Sequence, residues 1–141
     1  MAFVGTYEHS LDGAGRLVLP SRLRSHFEDW AYLSPDAGCM AIRTPEHFDA
    51  MVARVQEKVR AGEHGHDVLR GLAADSSKVR LDSQGRLLLP DKLRALAGLE
   101  REVVLCGAID WIEVWPASAW PALAATRSEA VADAFAQGIG V

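Results

Sequence analysis

The sequence predicts an α+β fold built from two related halves, and three observations carry that prediction. The first is a duplication: Leu11-Asp12-Gly13-Ala14-Gly15-Arg16-Leu17-Val18-Leu19-Pro20 returns 70 residues later as Leu81-Asp82-Ser83-Gln84-Gly85-Arg86-Leu87-Leu88-Leu89-Pro90. The second lies inside each copy, where turn residues give way to leucines alternating at the period of a strand, followed by a proline and a short helix-compatible run. The third is a helical period, with Phe48, Met51, Val52, Val55 and Val59 on one face and a weaker echo at Trp120, Leu123, Ala124, Val131 and Phe135. Two copies are too few for a solenoid, so the halves are expected to pack about a pseudo-twofold axis.

Each element follows from local chemistry. Gly5 to Leu11 is β-compatible, Asp12 to Gly15 reverses the chain, and Arg16 to Leu19 forms a second strand. Pro20 suits the first position of a helix, where its missing N–H is no loss, and Ser21 to Phe27 supplies about two turns. Tyr32 to Arg43 reads as two strands about a turn at Pro35-Asp36-Ala37-Gly38, and Val103 to Trp115 as their counterpart about Gly107. A helix is predicted from Pro45 to Ala61, a loop over Gly62-Glu63-His64-Gly65-His66, and a short helix around Val68, Leu69 and Leu72 before the second copy opens near Lys78. The expected organisation is a single domain over 1–141, with repeats at about 5–47 and 76–119 and helical extensions at about 45–75 and 117–137.

Composition sets outer bounds. At 141 residues and 49% hydrophobic, the chain suits one well-packed domain. No apolar run reaches the ~18 residues of a membrane span and the N-terminus lacks a secretory pattern, so a cytoplasmic protein is expected. Cys39 and Cys106 stand in apolar surroundings without C-x-x-C spacing and read as buried thiols.

A net charge of −4 argues against nucleic acid, but its distribution argues the other way. Asp12 to His26 holds three arginines against one acid, and Lys78 to Arg94 holds five basic residues against two. Acids gather elsewhere, at Glu46, Asp49, Glu57, Glu63, Asp67, Asp75, Glu129 and Asp133.

Within the repeated element, Asp12 and Asp82 can accept backbone N–H groups two residues on, and Gly15 and Gly85 permit positive φ. Arg16 and Arg86 open strands whose leucines share the opposite face, so a core on the leucine side leaves both guanidinium groups outward. Planar guanidinium groups on rigid strands suit bidentate contact with phosphate oxygens or with guanine O6 and N7. The residues alone equally allow Arg16 to pair with Asp12 across its turn.

The stretches Tyr7 to Phe27 and Val79 to Leu96, with Phe3-Val4-Gly5 ahead of them, resemble the MraZ family of bacterial transcriptional regulators. One Asp-x-x-Gly-Arg strand would point only to the wider AbrB-like group, in which two chains each lend one copy. The resemblance implies two AbrB-like strand-turn-strand-helix halves interlocked into a small β-barrel flanked by helices. It also implies a ring-shaped homo-oligomer that binds repeated boxes of double-stranded promoter DNA at the nucleoid, usually repressing the operon for division and cell-wall genes. Carried across, the DNA-binding candidates are Arg16 and Arg86, with Asp12, Gly15, Asp82 and Gly85 shaping the turns. Arg22, Arg24, Lys92 and Arg94 are secondary candidates, read from charge alone as a solvated helix face.

Other readings are plainer. His64-Gly65-His66-Asp67 fits a polar loop better than a metal site, and no metal or cofactor is called for. Trp111, Trp115 and Trp120 read as core or subunit interface, and the Phe48 to Val59 face as core. No G-x-x-x-x-G-K loop and no nucleophile with a recognisable base is present, so an enzyme is not expected. A ring-forming protein-interaction scaffold without specific DNA binding is the alternative.

Overall fold

The computed structural model describes residues 2–141. In chain order the elements are β1 Thr6–Ser10, β2 Arg16–Val18, α1 Ser21–Arg24, β3 Trp30–Pro35, β4 Met40–Arg43, α2 Pro45–Arg60, α3 His66–Asp75, β5 Ser77–Arg80, β6 Arg86–Leu88, α4 Asp91–Leu96, β7 Glu102–Gly107, β8 Ile112–Pro116 and α5 Trp120–Ala136, with a single 3₁₀ turn at Ala117–Ala119. The fold is mixed α+β, and every strand pair in it is antiparallel.

Six strands form one sheet in the order β1-β7-β8-β4-β3-β5, and β2 pairs with β6 in a separate two-stranded ribbon. The sheet is open, with β1 and β5 at its edges, so the closed barrel expected from the family resemblance is not formed by its hydrogen bonds. The two copies nevertheless exchange partners. β1 lies on β7 with Tyr7 opposite Leu105, and β5 lies on β3 with Tyr32 opposite Lys78.

In the ribbon, Arg16 stands opposite Leu88, Leu17 opposite Leu87 and Val18 opposite Arg86. Two further bonds tie the copies at its ends: Leu19 N–H donates to the Gly85 carbonyl and Leu89 N–H to the Gly15 carbonyl, both at 3.0 Å. The strand period of two then turns Leu17, Leu19, Leu87 and Leu89 to the same side, where all four are buried. They meet Leu23, Leu93, Phe3, Leu33, Ile42, Leu105, Ile112 and Val114 in one core to which both copies contribute.

The short helices differ in detail from the sequence reading. Pro20 and Pro90 precede α1 and α4 as extended residues with ψ 144° and 140°, rather than opening them. The first helix stops at Arg24, because His26 and Phe27 bond three residues back and tighten the chain into a turn. By contrast α2 starts as its sequence suggests: Thr44 Oγ1 accepts the His47 N–H at 3.2 Å and Pro45 fills the first helical position. The helix after the loop begins earlier than predicted, at His66.

Reversal between β7 and β8 also moves. It spans Ala108 to Trp111, closed by an Ala108 N–H to Trp111 carbonyl bond of 2.8 Å, with Ile109 at φ 70°. Gly107 has a different task. A β-carbon there would lie 2.5 Å from the Phe3 backbone, which must approach closely for Phe3 and Ile109 to exchange their two bonds.

Both long helices bury less than their periodicity suggests. On α2 only Val59 is buried, while Phe48 stacks on Tyr32 with ring centroids 4.2 Å apart. Phe48 and Val52 face Leu69 and Leu72 of α3 across a groove of about 450 Å³ rather than a filled core. No residue of α5 is buried; Val131 and Phe135, one turn apart on it, are exposed, as is Ile139 in the turn that follows. Its anchor is polar: Arg127 Nη1 donates to Glu113 Oε1 at 2.7 Å.

Leu87 fills the centre of the ribbon with no exposure. Leu87→Ala is expected to cost about 2–5 kcal/mol, read as a lower urea midpoint at unchanged slope.

Candidate nucleic-acid interface

The two copies of the repeated element fold alike. In the first, Asp12 Oδ1 accepts the backbone N–H groups of Ala14 and Arg16, both at 2.9 Å, and Oδ2 accepts Arg16 Nε–H at 2.7 Å. In the second, Asp82 Oδ1 accepts the N–H groups of Gln84 and Arg86 at 2.9 Å, and Oδ2 accepts Arg86 Nε–H at 2.6 Å. Gly15 N–H and Gly85 N–H close the turns onto the carbonyls of Asp12 and Asp82 at 3.0 Å, with φ at +83° and +73°. Each aspartate thus fixes the turn, the start of the strand and the guanidinium together.

Sequence chemistry left two options for these arginines, pairing across the turn or facing outward, and the structure combines them. Nε is held by the aspartate, and among the described residues neither Arg16 nor Arg86 spends a terminal Nη on a protein acceptor. A guanidinium bound along one edge keeps its Nη1/Nη2 end for a planar acceptor pair, the arrangement that guanine O6/N7 or a phosphate provides.

Secondary candidates separate into distinct roles. Arg24 and Arg94 cross between the copies: a β-carbon at Gly85 would sit 2.5 Å from Arg24 Cδ, and one at Gly15 would sit 2.7 Å from Arg94 Cζ. Each arginine therefore lies over the other copy's turn, beside shallow clefts that contain Asp82 and Asp12. Arg94 also pairs with Asp91 and keeps Nε buried without a partner. Lys92 is drawn to Asp75 at 2.5 Å, which takes it away from the arginines, and Arg22 is exposed with no acidic partner among the described residues.

Two residues absent from the sequence reading complete the surface. Val18 and Leu88 share the outer face of the ribbon with the arginines and stay 43% and 53% exposed. The signal was available in the alternation that buries Leu17 and Leu19 and turns the residues between them outward.

A second cluster is structural. Asp36, Cys39 and Glu113 place ligand atoms within 4.8 Å of one another. Glu113 is already engaged by Arg127, by Trp115 Nε1 at 2.9 Å and by Trp111 Nε1 at 3.3 Å. Burial opposes its charge, and the Arg127 and tryptophan hydrogen bonds prevail and hold its carboxyl low. Burial drives the Cys39 thiol up to about 12, as expected of a protonated thiol in an apolar setting. The tryptophans are committed here, with the Arg43 and Arg127 guanidinium groups over the rings of Trp111 and Trp115.

Comparison with known proteins adds a family. The profile described as "MraZ protein, putative antitoxin-like" matches residues 2–67 and 72–140. The chain is 35% identical over 132 residues to "Transcriptional regulator MraZ" of Cutibacterium acnes, covering 93% of both chains. It is 35% identical over 119 residues to the protein of that name from Mycoplasmoides gallisepticum, covering 84% of each. To the "Transcriptional regulator MraZ" of Rhodococcus opacus the identity is 31% over 140 residues, covering 99% of this chain and 95% of the relative.

The Asp12 and Asp82 carboxyls lie below the ordinary value of 3.8, chiefly through the backbone N–H groups of Arg16 and Arg86, with partial desolvation opposing. A carboxyl lowered on folding contributes stability that is complete above its unfolded value and lost as pH falls through its folded one. Unfolding midpoints should therefore hold steady above about pH 5 from this source and decline below 3.8. Asp12→Asn with Asp82→Asn should flatten that acid limb, as urea titrations at stepped pH will read.

Proposed function

This chain belongs to the MraZ family, and from that premise we propose that it is a sequence-specific DNA-binding transcription regulator that reads duplex promoter DNA with the outer face of the β2–β6 ribbon. The observation that carries the reading is the pair of guanidinium groups at Arg16 and Arg86, each braced through Nε by an aspartate and open at its terminal nitrogens. Arg24 and Arg94 extend the cationic strip over the two turns, where they meet phosphates rather than bases. Arg22 adds a peripheral charge, and Lys92, tied to Asp75, adds the least. The function is regulatory rather than enzymatic.

The finer parts of the proposal are that the chain is one domain of two pseudo-twofold halves, that copies assemble into a ring, and that the ring represses the division and cell-wall operon from repeated promoter boxes at the nucleoid. Strand order supports the first part. Exchanging each strand for its counterpart in the other copy turns β1-β7-β8-β4-β3-β5 into the same order read backwards. The exposed apolar residues Val131 and Phe135 on α5 and Ile139 in the turn after it, together with the open groove between α2 and α3, support association between copies. Two different surfaces that match head to tail generate rings when the rotation closes.

Assembly also answers the acidic total. One subunit with a few phosphate contacts binds feebly, since non-specific Kd values of ~10⁻⁴ to 10⁻⁶ M are typical even of basic domains. Several subunits on several boxes gain by effective concentration.

A duplex carrying an array of boxes from the chain's own upstream region is therefore expected to bind at least tenfold tighter than one box, with a steep salt dependence. Arg16→Ala with Arg86→Ala should abolish the preference over a scrambled duplex and lower the salt slope. Unchanged preference in that variant would refute the role given to the arginines, and equal feeble binding of the native protein to both duplexes would favour a protein-interaction scaffold.

A further inference from the structure

The outer face of the ribbon carries four side chains in a checkerboard. Arg16 is directly opposite Leu88, and Val18 is directly opposite Arg86, so the arginines lie on one diagonal and the aliphatic residues on the other. Along either strand an arginine and an aliphatic residue are two positions apart, roughly 7 Å, close to two base-pair steps. The inner face supplies ample apolar surface from Leu17, Leu19, Leu87 and Leu89, so nothing in core packing asks for Val18 and Leu88 on the outside. No other element covers them, and they stay 43% and 53% exposed between fixed guanidinium groups.

The width of a two-stranded ribbon fits the major groove, where two features of a base pair differ most in character. Guanine offers O6 and N7 as a planar acceptor pair. Thymine offers the only apolar group on the groove floor, its C5-methyl. A face that alternates guanidinium with isopropyl and isobutyl groups is complementary to both.

We propose that Val18 and Leu88 are specificity-determining residues that recognise thymine methyl groups in the major groove, beside the positions at which Arg16 and Arg86 contact guanine. This rests on the DNA-reading role proposed above and adds the chemistry of the bases that role selects. Burying one methyl group against an aliphatic side chain is worth about fourfold in affinity, the equivalent of ~0.8 kcal/mol. The contact is neutral and releases no counterions, so it leaves the salt slope untouched.

The test compares the chain's own upstream duplex in two forms, one with thymine and one with deoxyuridine in its place, beside a scrambled thymine duplex. Uracil removes the methyl and keeps every hydrogen-bonding group. The native protein is expected to bind the uracil form at least fourfold more weakly at equal salt slope. Val18→Ser with Leu88→Ser should bind both forms alike, at a level near that of the native protein on uracil. Both positions are exposed, and an unchanged thermal midpoint shows the variant folded. Val18→Thr with Leu88→Ser, which keeps one methyl at position 18, should discriminate between the two forms where the double serine variant does not.

Equal affinity of the native protein for the two forms would overturn the inference while leaving the regulator reading intact. Undiminished discrimination in the double serine variant would overturn it as well. Failure of the native protein to prefer its own thymine duplex over the scrambled one would overturn the regulator reading and this inference together.

Discussion

The three-residue pairing of β2 with β6 is the contact on which the remainder of the molecule depends. Leu17 and Leu87 meet at its centre, and the carbonyls of Gly15 and Gly85 extend it by one bond at each end. Its inner side seeds the core and its outer side is the candidate interface, so one ribbon fixes both stability and surface chemistry. Neither copy can make it alone. A short strand has unpaired backbone groups that cost free energy if buried, and here among the described residues the partner is the related strand from 70 residues away.

Charge in this molecule is placed rather than plentiful. The net value is −4, but at the ribbon each acid is matched to a structural task, and Asp12 and Asp82 orient the arginines instead of cancelling them. Exposed ion pairs such as Arg60 with Glu57 contribute little, being screened and mobile. The pair formed by Arg127 and the buried Glu113 has a larger part, because it holds a helix that lacks any buried apolar residue. The Arg127 bond to Glu113 thus fixes α5 beside the half-buried Trp120, Leu123 and Ala124.

Much of this was legible in the sequence. The duplicated Asp-x-x-Gly-Arg element named the turns, the strands and the outward arginines, because local backbone chemistry decides all three. Pro45 marked the start of α2 for the same reason, and Thr44 proves to be its N-cap. Where the sequence misled, the deciding contact was remote. The apolar face of α5 carries the period of a core helix, but periodicity reports that a face is to be covered, without saying whether the cover comes from the same chain. Val18 and Leu88 were not singled out, although the alternation that turns Arg16 and Arg86 outward turns them outward too. The crossed seats of Arg24 and Arg94 depend on how the copies interlock, which no local window contains.

Partner exchange between the copies has a consequence for synthesis. When a ribosome has delivered the first 75 residues, only the β3–β4 hairpin and the helices α2 and α3 packed on it have their partners, because β1 waits for β7 and β2 for β6. Through β8 a further 41 residues must follow, roughly 2–8 s at ordinary elongation rates of ~5–20 residues per second. For that interval Leu17, Leu19 and Leu23 have no core to enter, and the bare edge of β2 is presented to every neighbouring nascent chain on the same message. The pace of translation over the second copy therefore sets how long the first remains adhesive, and a pause there would favour strand exchange between two molecules over closure within one.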